Sequence, residues 1–317
     1  MISRTFQGFR DFMKRQKPNF RVLVIRGAFT NFRWGLTQNY TSVYTVELGA
    51  DPVQLGSLSG VGSLVNAFLS APVGWLADRY SLKKIWLFGL ILETLVPLGY
   101  ALSQSWQMLI FPVSFFYMTF VTAWMIERVL LANALRHEDR ATGFGVLSSI
   151  SQIPMIFAPT LAGLIVTWLG GISVEAIRPL FYISFGISAI MSFWVYWNIE
   201  DPGRTSKLRT EGFISGFRRV LTGKGGIKRW LFIELLGSFT FGSTMPFIMV
   251  YAAEIKQADA MILGFMGSAM TIVSMISSVP LGKLADRIGR KRTILLLRPV
   301  LYVSYLLLVW APRPEFL

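Results

Sequence analysis

Residues 72–89 read PVGWLADRYSLKKIWLFG, and residues 280–296 read PLGKLADRIGRKRTILL. In each stretch an apolar segment ends in a short basic connection that contains one aspartate, and a second apolar segment follows. The two stretches begin 208 positions apart in a chain of 317 residues. The same helix–hinge–helix pattern occurs twice, which indicates an internal duplication.

The composition indicates a membrane protein. Hydrophobic residues make up 53% of the chain and charged residues only 15%, whereas soluble domains carry about 25% charged residues. Residues 53–77 contain no charged residue at all. This segment is longer than the roughly 20 helical residues that a bilayer core requires. A buried helix of a soluble protein rarely reaches this length without a charge, so the sequence predicts an all-α integral membrane protein.

A window of about 19 residues identifies a series of candidate transmembrane helices. Nine of them lie near residues 22–46, 53–77, 85–104, 106–131, 143–169, 179–199, 230–252, 260–282 and 293–311. The chain is therefore expected to cross the membrane nine times.

The net charge of +14 is distributed unevenly along the chain. Of the 31 Lys and Arg residues, 24 lie in the N-terminal tail or in the connections that follow every second helix, all on one side of the predicted membrane. The positive-inside rule predicts that this side, with the N-terminus, is cytoplasmic, in the cytoplasmic (inner) membrane of the cell. Anionic lipid headgroups are the expected partner of the basic excess, and nucleic acid is not expected as a partner.

The duplication extends beyond the two hinges. At an offset of 207 residues the recurring pairs are Phe32/Phe239, Gly35/Gly242, Thr37/Thr244, Val43/Val250, Tyr44/Tyr251 and Glu47/Glu254. At an offset of 208 residues they include Asp51/Asp259, Gly56/Gly264, Pro72/Pro280, Gly74/Gly282 and Asp78/Asp286. Chance similarity between apolar helices does not align glycine, proline and aspartate. Since six predicted helices separate equivalent positions, both copies have the same orientation, as in a parallel repeat.

The second hinge resembles the signature of the major facilitator superfamily of transporters, approximately G-x-L-A-D-R-x-G-R-K. The matching residues are Gly282, Leu284, Ala285, Asp286, Arg287, Gly289, Arg290 and Lys291. The first hinge keeps Gly74, Leu76, Ala77, Asp78, Arg79 and Lys83. It has Ser81 and Leu82 where glycine and arginine are expected. The two copies in register extend the resemblance over essentially the whole chain.

The resemblance implies the fold of this family and divides the chain into four parts. A cytoplasmic tail over residues 1–21 precedes a six-helix bundle over residues 22–199. A linker over residues 200–229 forms either an interfacial amphipathic helix or a tether, and residues 230–317 supply the first three helices of a second bundle. A complete second bundle requires three more helices, so we expect a fragment of a monomeric twelve-helix protein of roughly 400 residues.

The resemblance also implies that the hinges latch the two halves together while the transporter opens outward. Gly74 and Gly282 would let two helices approach closely. Asp78 and Asp286 would place a negative charge near the positive end of a neighbouring helix. Alternatively, the basic residues of the hinges only set the orientation in the membrane.

Charged residues within the predicted helices are candidates for binding, because a charge at mid-bilayer requires a partner, a water-filled cavity or a function. Arg33 lies in the first helix on the same face as Arg26, and it either contacts an anionic substrate or forms a structural ion pair. Glu93, in the third helix, either carries a coupling proton or pairs with Arg33. Glu127 and Arg128, near the end of the fourth helix, indicate an inner gate or an interfacial ion pair.

Polar residues and prolines complete the candidate set. The remaining substrate-binding or ion-binding candidates are Asn31, Gln38, Asn39, Glu234 and Thr240. Candidate helix kinks are Pro154, Pro159 and Pro246. Interrupted helices at corresponding positions of the two halves indicate the binding region. The segment APTLAG, residues 158–163, is similar to the G-P-x-x-G-G element of antiporters, although alanine replaces two glycines.

Other chemistries have no support in the sequence. The chain has no G-x-x-x-x-G-K-[ST] motif, one histidine and no cysteine, so we expect no enzyme activity, no cofactor and no metal. We expect a secondary active transporter that moves a small solute, with protons as the coupling ion and with symport or antiport left open. A transport-inactive sensor or receptor with the same fold is the alternative. The mixture of aromatic and amide residues suits drugs, sugars or organic anions.

Overall fold

The computed structural model describes Phe12, residues 15–201 and residues 227–316. Its long helices follow one another along the chain, and the described residues contain no β-strand, which confirms the predicted all-α class. The first six are α1 (Pro18–Glu47), α2 (Pro52–Ala77), α3 (Leu82–Leu102), α4 (Trp106–Ala134), α5 (Arg140–Trp168) and α6 (Val174–Asn198). The others are α7 (Ile227–Thr244, continued by Met245–Phe247, Ile248–Val250 and Tyr251–Ile255), α8 (Ala260–Ile288) and α9 (Arg290–Trp310). We call α1–α6 the first half and α7–α9 the second half.

Helices α2 to α9 are each long and apolar enough to cross a membrane, which makes eight such helices in the described part of the chain. Helix α1 does not meet this criterion because it carries three arginines and several amide and hydroxyl side chains. It is nevertheless 30 residues and roughly 45 Å long. It packs against α5 and α6 in the interior of the first half, so its polar side chains face protein instead of lipid.

Hydrogen bonds at both ends hold the first half together. At the end where α1 begins, Asn19 and the backbone of Glu200 exchange two bonds of 2.8 and 2.9 Å. At the opposite end, the Arg178 guanidinium donates to Tyr44 Oη at 3.2 Å and to the Ser103 carbonyl at 3.0 Å. The first of these is the end that carries the two hinges, and we call it the basic end. We call the opposite end the far end.

The repeat has a direct structural correlate at the starts of α2 and α8. Asp51 accepts a bond from the Gln54 backbone at 2.7 Å, and Asp259 accepts one from the Ile262 backbone at 2.8 Å. Each aspartate thereby satisfies one of the free N–H groups of a helix N-terminus. The aligned pair Asp51/Asp259 is therefore a pair of N-caps.

The departure of the first hinge from the family signature also has a structural reason. Gly289 has φ of 86°, a left-handed conformation that favours glycine, and α9 begins directly after it. The equivalent Ser81 has extended backbone, and its side chain caps α3 by accepting from Lys84 N at 3.4 Å. The first hinge makes its turn without left-handed backbone, so it has no need of glycine there.

Helices α3 and α4 approach closely where α4 contains a π-helical turn, Phe120–Met125. A Cβ added at Gly89 of α3 would lie 2.7 Å from the Thr122 carbonyl carbon. The obstructing atoms belong to the α4 backbone and cannot rotate away. A glycine at position 89 is therefore required for this contact.

Some expectations for the hinges and kinks differ from the structure. Within the described part of the chain, no heavy atom beyond the local helix lies within 4 Å of a Cβ added at Gly74 or Gly282, so the expected close helix approach is not seen at these glycines. Pro154 and Pro159 lie inside α5, which is α-helical throughout, and Pro246 lies in the 3₁₀ turn that interrupts α7. Residues 202–226, where the interfacial linker helix was expected, lie outside the described residues.

The Gly89 contact makes a prediction about stability. Gly89→Ala should destabilise the protein by about 1–3 kcal/mol because the new methyl group overlaps the α4 backbone. The matched control is Gly186→Ala, since Gly186 of α6 has nothing within 4 Å of an added Cβ and alanine favours helix. Thermal unfolding in detergent should show a lower midpoint for the first variant only. Equal midpoints would contradict the close approach of α3 and α4.

Candidate functional site

Four charged side chains form one connected network inside the first half. Arg26 and Arg33 are seven residues apart on α1, so they lie on one face of that helix. Arg26 donates to Glu93 of α3 and to Glu127 of α4. Arg33 donates to the other oxygen of Glu93 at 2.7 Å. The network therefore joins three helices through two guanidinium and two carboxylate groups.

Burial makes every bond of this network necessary. The side chains of Arg26, Arg33 and Glu93 are 4%, 8% and 8% exposed, and the Arg26 guanidinium also lies 5.2 Å from the centre of the Trp86 ring. With two positive and two negative groups the network is neutral. A buried charge without its partner is strongly destabilising, so removal of one member leaves an uncompensated charge.

The two carboxylates have different environments. Glu93 accepts bonds from both arginines, one on each oxygen, and lies between α1 and α6. Glu127 accepts only from Arg26 among the described residues, is 14% exposed and lines a larger cavity. Glu127 can therefore exchange its partner or its proton with less disturbance than Glu93.

The larger cavity has a volume of about 390 Å³ and lies between α1, α4 and α5 in their basic-end halves. This volume is within the range of small-molecule sites, which are usually 300–1,000 Å³. The wall combines charged, amide, hydroxyl and aromatic groups. The lining residues are Arg26, Gly27, Thr30, Asn31, Trp124, Glu127, Arg128, Leu131, Phe144, Leu147, Ser148, Ser151 and Gln152.

Arg33 does not line this cavity. It borders, with Glu93, Ser188 and Ser192, a space of about 10 Å³ against α6, which is room for one water molecule. Of the two expected roles for Arg33, this position favours the structural ion pair with Glu93 over substrate contact.

The remaining candidate residues lie in different parts of the structure. Asn31 and Arg128 line the larger cavity. Asn39 donates to the Leu263 carbonyl of α8 at 2.7 Å and so contacts the second half, while Gln38 is half-buried. Glu234 and Thr240 are exposed on α7, and the Thr240 hydroxyl donates to the Leu236 carbonyl of its own helix.

Two residues of the first hinge contact groups of the first half. The Arg79 guanidinium lies 4.1 Å from the centre of the Trp75 ring, and Lys83 Nζ donates to the Ile199 carbonyl of α6 at 2.5 Å. Arg287 and Lys291 are exposed. The latch between the halves stays a prediction.

The first and second halves meet at the far end, mainly through α5 and α8. Tyr40 Oη donates to the Ala260 carbonyl at 2.6 Å, and Thr160 Oγ1 lies 2.7 Å from Ser268 Oγ. A Cβ added at Gly264 would lie 2.6 Å from the Pro159 carbonyl oxygen. The two halves are in contact at the far end, and the cavity lies on the basic-end side of this contact.

Sequence reasoning did not single out three features of the site. These are the central role of Arg26, the cavity wall contributed by α5, and the close approach at Gly264. Two of them have a signal in the sequence. The seven-residue spacing of Arg26 and Arg33 indicates that both can share one carboxylate, and Gly264 is one of the repeated glycines. The α5 wall has no comparable signal, since Ser148, Ser151 and Gln152 are ordinary polar residues. No cluster of metal-ligating side chains occurs in the described ranges.

The network makes a prediction about stability. Glu93→Gln should cost about 3–5 kcal/mol because both buried arginines lose a partner, whereas Glu127→Gln should cost less because Arg26 keeps Glu93. Glu234→Gln, on the exposed face of α7, is the control and should change nothing. The decrease in thermal midpoint in detergent should be largest for Glu93→Gln, smaller for Glu127→Gln and absent for Glu234→Gln. A larger loss for Glu127→Gln than for Glu93→Gln would show that Glu127 is the main counter-ion.

The chain is similar to several curated bacterial proteins. It is 23% identical over 312 residues to a probable 4-methylmuconolactone transporter of Cupriavidus pinatubonensis, covering 96% of this chain and 71% of that protein. It is 24% identical to a multi-drug resistance efflux pump PmrA homolog of Lactococcus lactis, covering 94% of this chain and 74% of that protein. It is 25% identical to the multidrug resistance protein MdtG of Dickeya zeae, covering 92% and 71%.

Solved structures share the fold. The nucleoside transporter NupG superposes with a TM-score of 0.65 at 15% identity, covering 85% of this chain and 68% of that chain. A bacterial homolog of the human lysosomal transporter Spinster, in an inward-facing and unoccupied conformation, gives a TM-score of 0.65 at 13% identity, covering 86% and 63%. The sequence model of the Major Facilitator Superfamily matches residues 23–315. The chain belongs to the Major Facilitator Superfamily.

Proposed function

We propose that the protein is a secondary transporter that moves a small solute by alternating access and couples this movement to protons. The observation that carries the proposal is a cavity of about 390 Å³ that contains one end of a buried charge network and lies on one side of a closed contact between the halves. A solute in this cavity would be separated from the far end by the α5–α8 contact. Separation of that contact, with closure at the basic end, would expose the same site to the other side of the membrane.

The contact between α5 and α8 has the chemistry of a reversible gate. Glycine residues of α8 pack against the α5 backbone, and buried apolar side chains such as Val166 and Leu263 join the halves in one core. The three inter-half hydrogen bonds made by Asn39 and Tyr40 of α1 and Thr160 of α5 include no ion pair. Small residues allow helices to meet closely, and opening such an interface separates hydrogen bonds and apolar contacts but no ion pair.

The charge distribution supports an orientation for this arrangement. The basic end carries the hinges and the start of α1, and positive charge favours the cytoplasmic side. The closed far end then faces outward, and the cavity opens towards the cytoplasm. The described arrangement is in this proposal the inward-facing one.

Glu127 is the proposed proton-coupling group, in preference to Glu93. It lines the cavity and has one arginine partner, whereas Glu93 is fixed by two. A π-helical turn, Phe120–Met125, ends two residues before Glu127, and π turns inside α-helices often occur at functional sites. Protonation of Glu127 would release part of the Arg26 guanidinium towards the cavity.

This assignment predicts a separation of coupling from exchange. In proteoliposomes with an imposed pH gradient, Glu127→Gln should reduce gradient-driven movement at least ~10-fold while solute exchange without a gradient continues, because the amide does not titrate. Labelled 4-methylmuconolactone is one suitable solute, since one relative is named as its probable transporter. The cationic dye ethidium is the second solute and serves as a probe of drug-like cations, since another relative is named as a multi-drug resistance efflux pump. Glu234→Gln serves as control. Unchanged gradient-driven movement in Glu127→Gln would exclude this carboxylate, and absence of any movement in the unaltered protein would favour the receptor alternative.

The gate makes a second prediction. Gly264→Val should prevent closure of the far end because its side chain would overlap the Pro159 carbonyl. The chain has no cysteine, so Ser268→Cys provides a single reporter at a position that is 8% exposed. A bulky maleimide should label this cysteine at least ~10-fold faster in Gly264→Val than with Gly264 intact. The labelling rate increases because the substitution shifts the equilibrium between the closed and the open far end towards the open state. Gly186→Val is the control, and equal labelling rates would contradict a gate at this contact.

A further inference from the structure

We propose that the larger cavity binds an organic anion with a planar unsaturated ring, and that Arg128 receives its carboxylate. This inference rests on the proposed transport function and adds the chemical class of the solute. It is carried by the charge of the cavity wall, by an unsatisfied buried hydroxyl and by an aromatic surface beside both.

The charge of the wall is the first observation. The network of Arg26, Arg33, Glu93 and Glu127 is neutral in itself. Arg128 follows Glu127 on α4, is exposed in the cavity and forms no ion pair within 4.0 Å among the described residues. The side chains that α5 adds to the wall are uncharged. The cavity therefore has one excess positive charge, which favours an anion and disfavours a cation.

The polar groups near Arg128 suit a carboxylate. Ser148 and Gln152 of α5 face the same cavity and can donate to an oxygen. Ser151, on the same wall, is 4% exposed, and its hydroxyl has no hydrogen-bond partner. Buried hydroxyl groups are normally bonded, so this one is available to a ligand oxygen that reaches between α1 and α5.

The aromatic surface suits a planar body. Trp124 lines the cavity and is held by Phe120 at 4.6 Å and by Trp34 at 6.1 Å between ring centres, the latter edge to face. Phe144 of α5 lies on the cavity wall as well. Aromatic side chains fixed in this way offer a flat apolar contact at little cost in conformational entropy. The wall thus provides a cation for one end of a ligand and rings for the other.

The same geometry links the anion to the proton. The charged groups that act on Glu127 are Arg26 from α1, Glu93 from α3 and Arg128 from its own helix. One proton on Glu127 adds one positive charge to the cavity, and one bound monoanion removes it. Uptake of both leaves the charge of the cavity as it was, so the favoured step is joint movement of one proton and one monoanion.

The test compares three probes of one shape and different charge. These are benzoate, benzamide and benzylamine, which carry a carboxylate, a neutral amide and a cation. Binding to the full-length purified protein is measured by the shift in thermal midpoint with concentration. Benzoate should stabilise the protein, and the two others should bind at least ~10-fold more weakly. Benzoate affinity should rise as the pH is lowered, because a proton taken up beside the bound anion adds a positive charge to the cavity.

Variants at the site localise the effect. Arg128→Gln should weaken benzoate at least ~10-fold, and Arg128→Lys should restore part of the affinity because it keeps the charge without the guanidinium geometry. Ser151→Ala should weaken benzoate less. Arg136→Gln removes a cation outside the cavity and should bind benzoate as the unaltered protein does. The thermal midpoint of each variant without probe shows whether it is folded.

Two outcomes would overturn the inference: benzylamine or benzamide binding as tightly as benzoate, or undiminished benzoate affinity in folded Arg128→Gln. The transport proposal fails separately. If benzoate binds as expected but is not moved in proteoliposomes, the anion site stands and transport fails. If ethidium moves with the gradient while benzoate does not bind, transport stands and the anion site fails.

Discussion

Two guanidinium groups on α1 lie inside the first half, and their pairing with two carboxylates is the constraint on which the arrangement of that half depends. Arg26 and Arg33 make α1 too polar to meet the hydropathy criterion of a membrane span, yet the helix crosses the interior because Glu93 and Glu127 neutralise it there. Buried charges without partners are costly, so α3 and α4 must pack with their carboxylates against one face of α1. The close contact between α3 and the α4 backbone at Gly89 helps to place both helices in this position.

Glu93 and Glu127 differ in their number of arginine partners, and this difference separates their proposed roles. Glu93 has an arginine on each oxygen, so its ionised form is fixed by geometry. Glu127 shares Arg26 with Glu93 and borders the cavity, where Arg128 adds a positive charge. In the proposed function, a change of protonation or ligand at Glu127 alters the cavity while Glu93 keeps both arginines.

The two copies of the repeat share some structural features and differ in others. Asp51 and Asp259 cap equivalent helices, so the repeat preserves the start of α2 and α8. The hinges differ, because Gly289 makes a left-handed turn where Ser81 caps α3 from extended backbone. At the far end the halves meet through α1 and α5 on one side and α8 on the other. The interface combines Gly264, which belongs to the repeat, with Tyr40, whose repeat position is Phe247.

The sequence by itself determined the all-α membrane class, the family and the positions of the helices, because long uncharged segments, a repeated hinge and one-sided basic residues are local patterns. It also indicated an Arg33–Glu93 pair as one of two interpretations, since lone charges in apolar helices require partners. Only the tertiary structure decided that Arg26 is the shared centre, that Glu127 faces a cavity, and that Asn39 contacts the second half. The close approach expected at Gly74 and Gly282 is not seen among the described residues and stays a prediction, while the halves meet at the far end. Periodicity places a side chain on a face of its own helix, but its partner depends on the rotation and height of neighbouring helices, which distant parts of the chain set together.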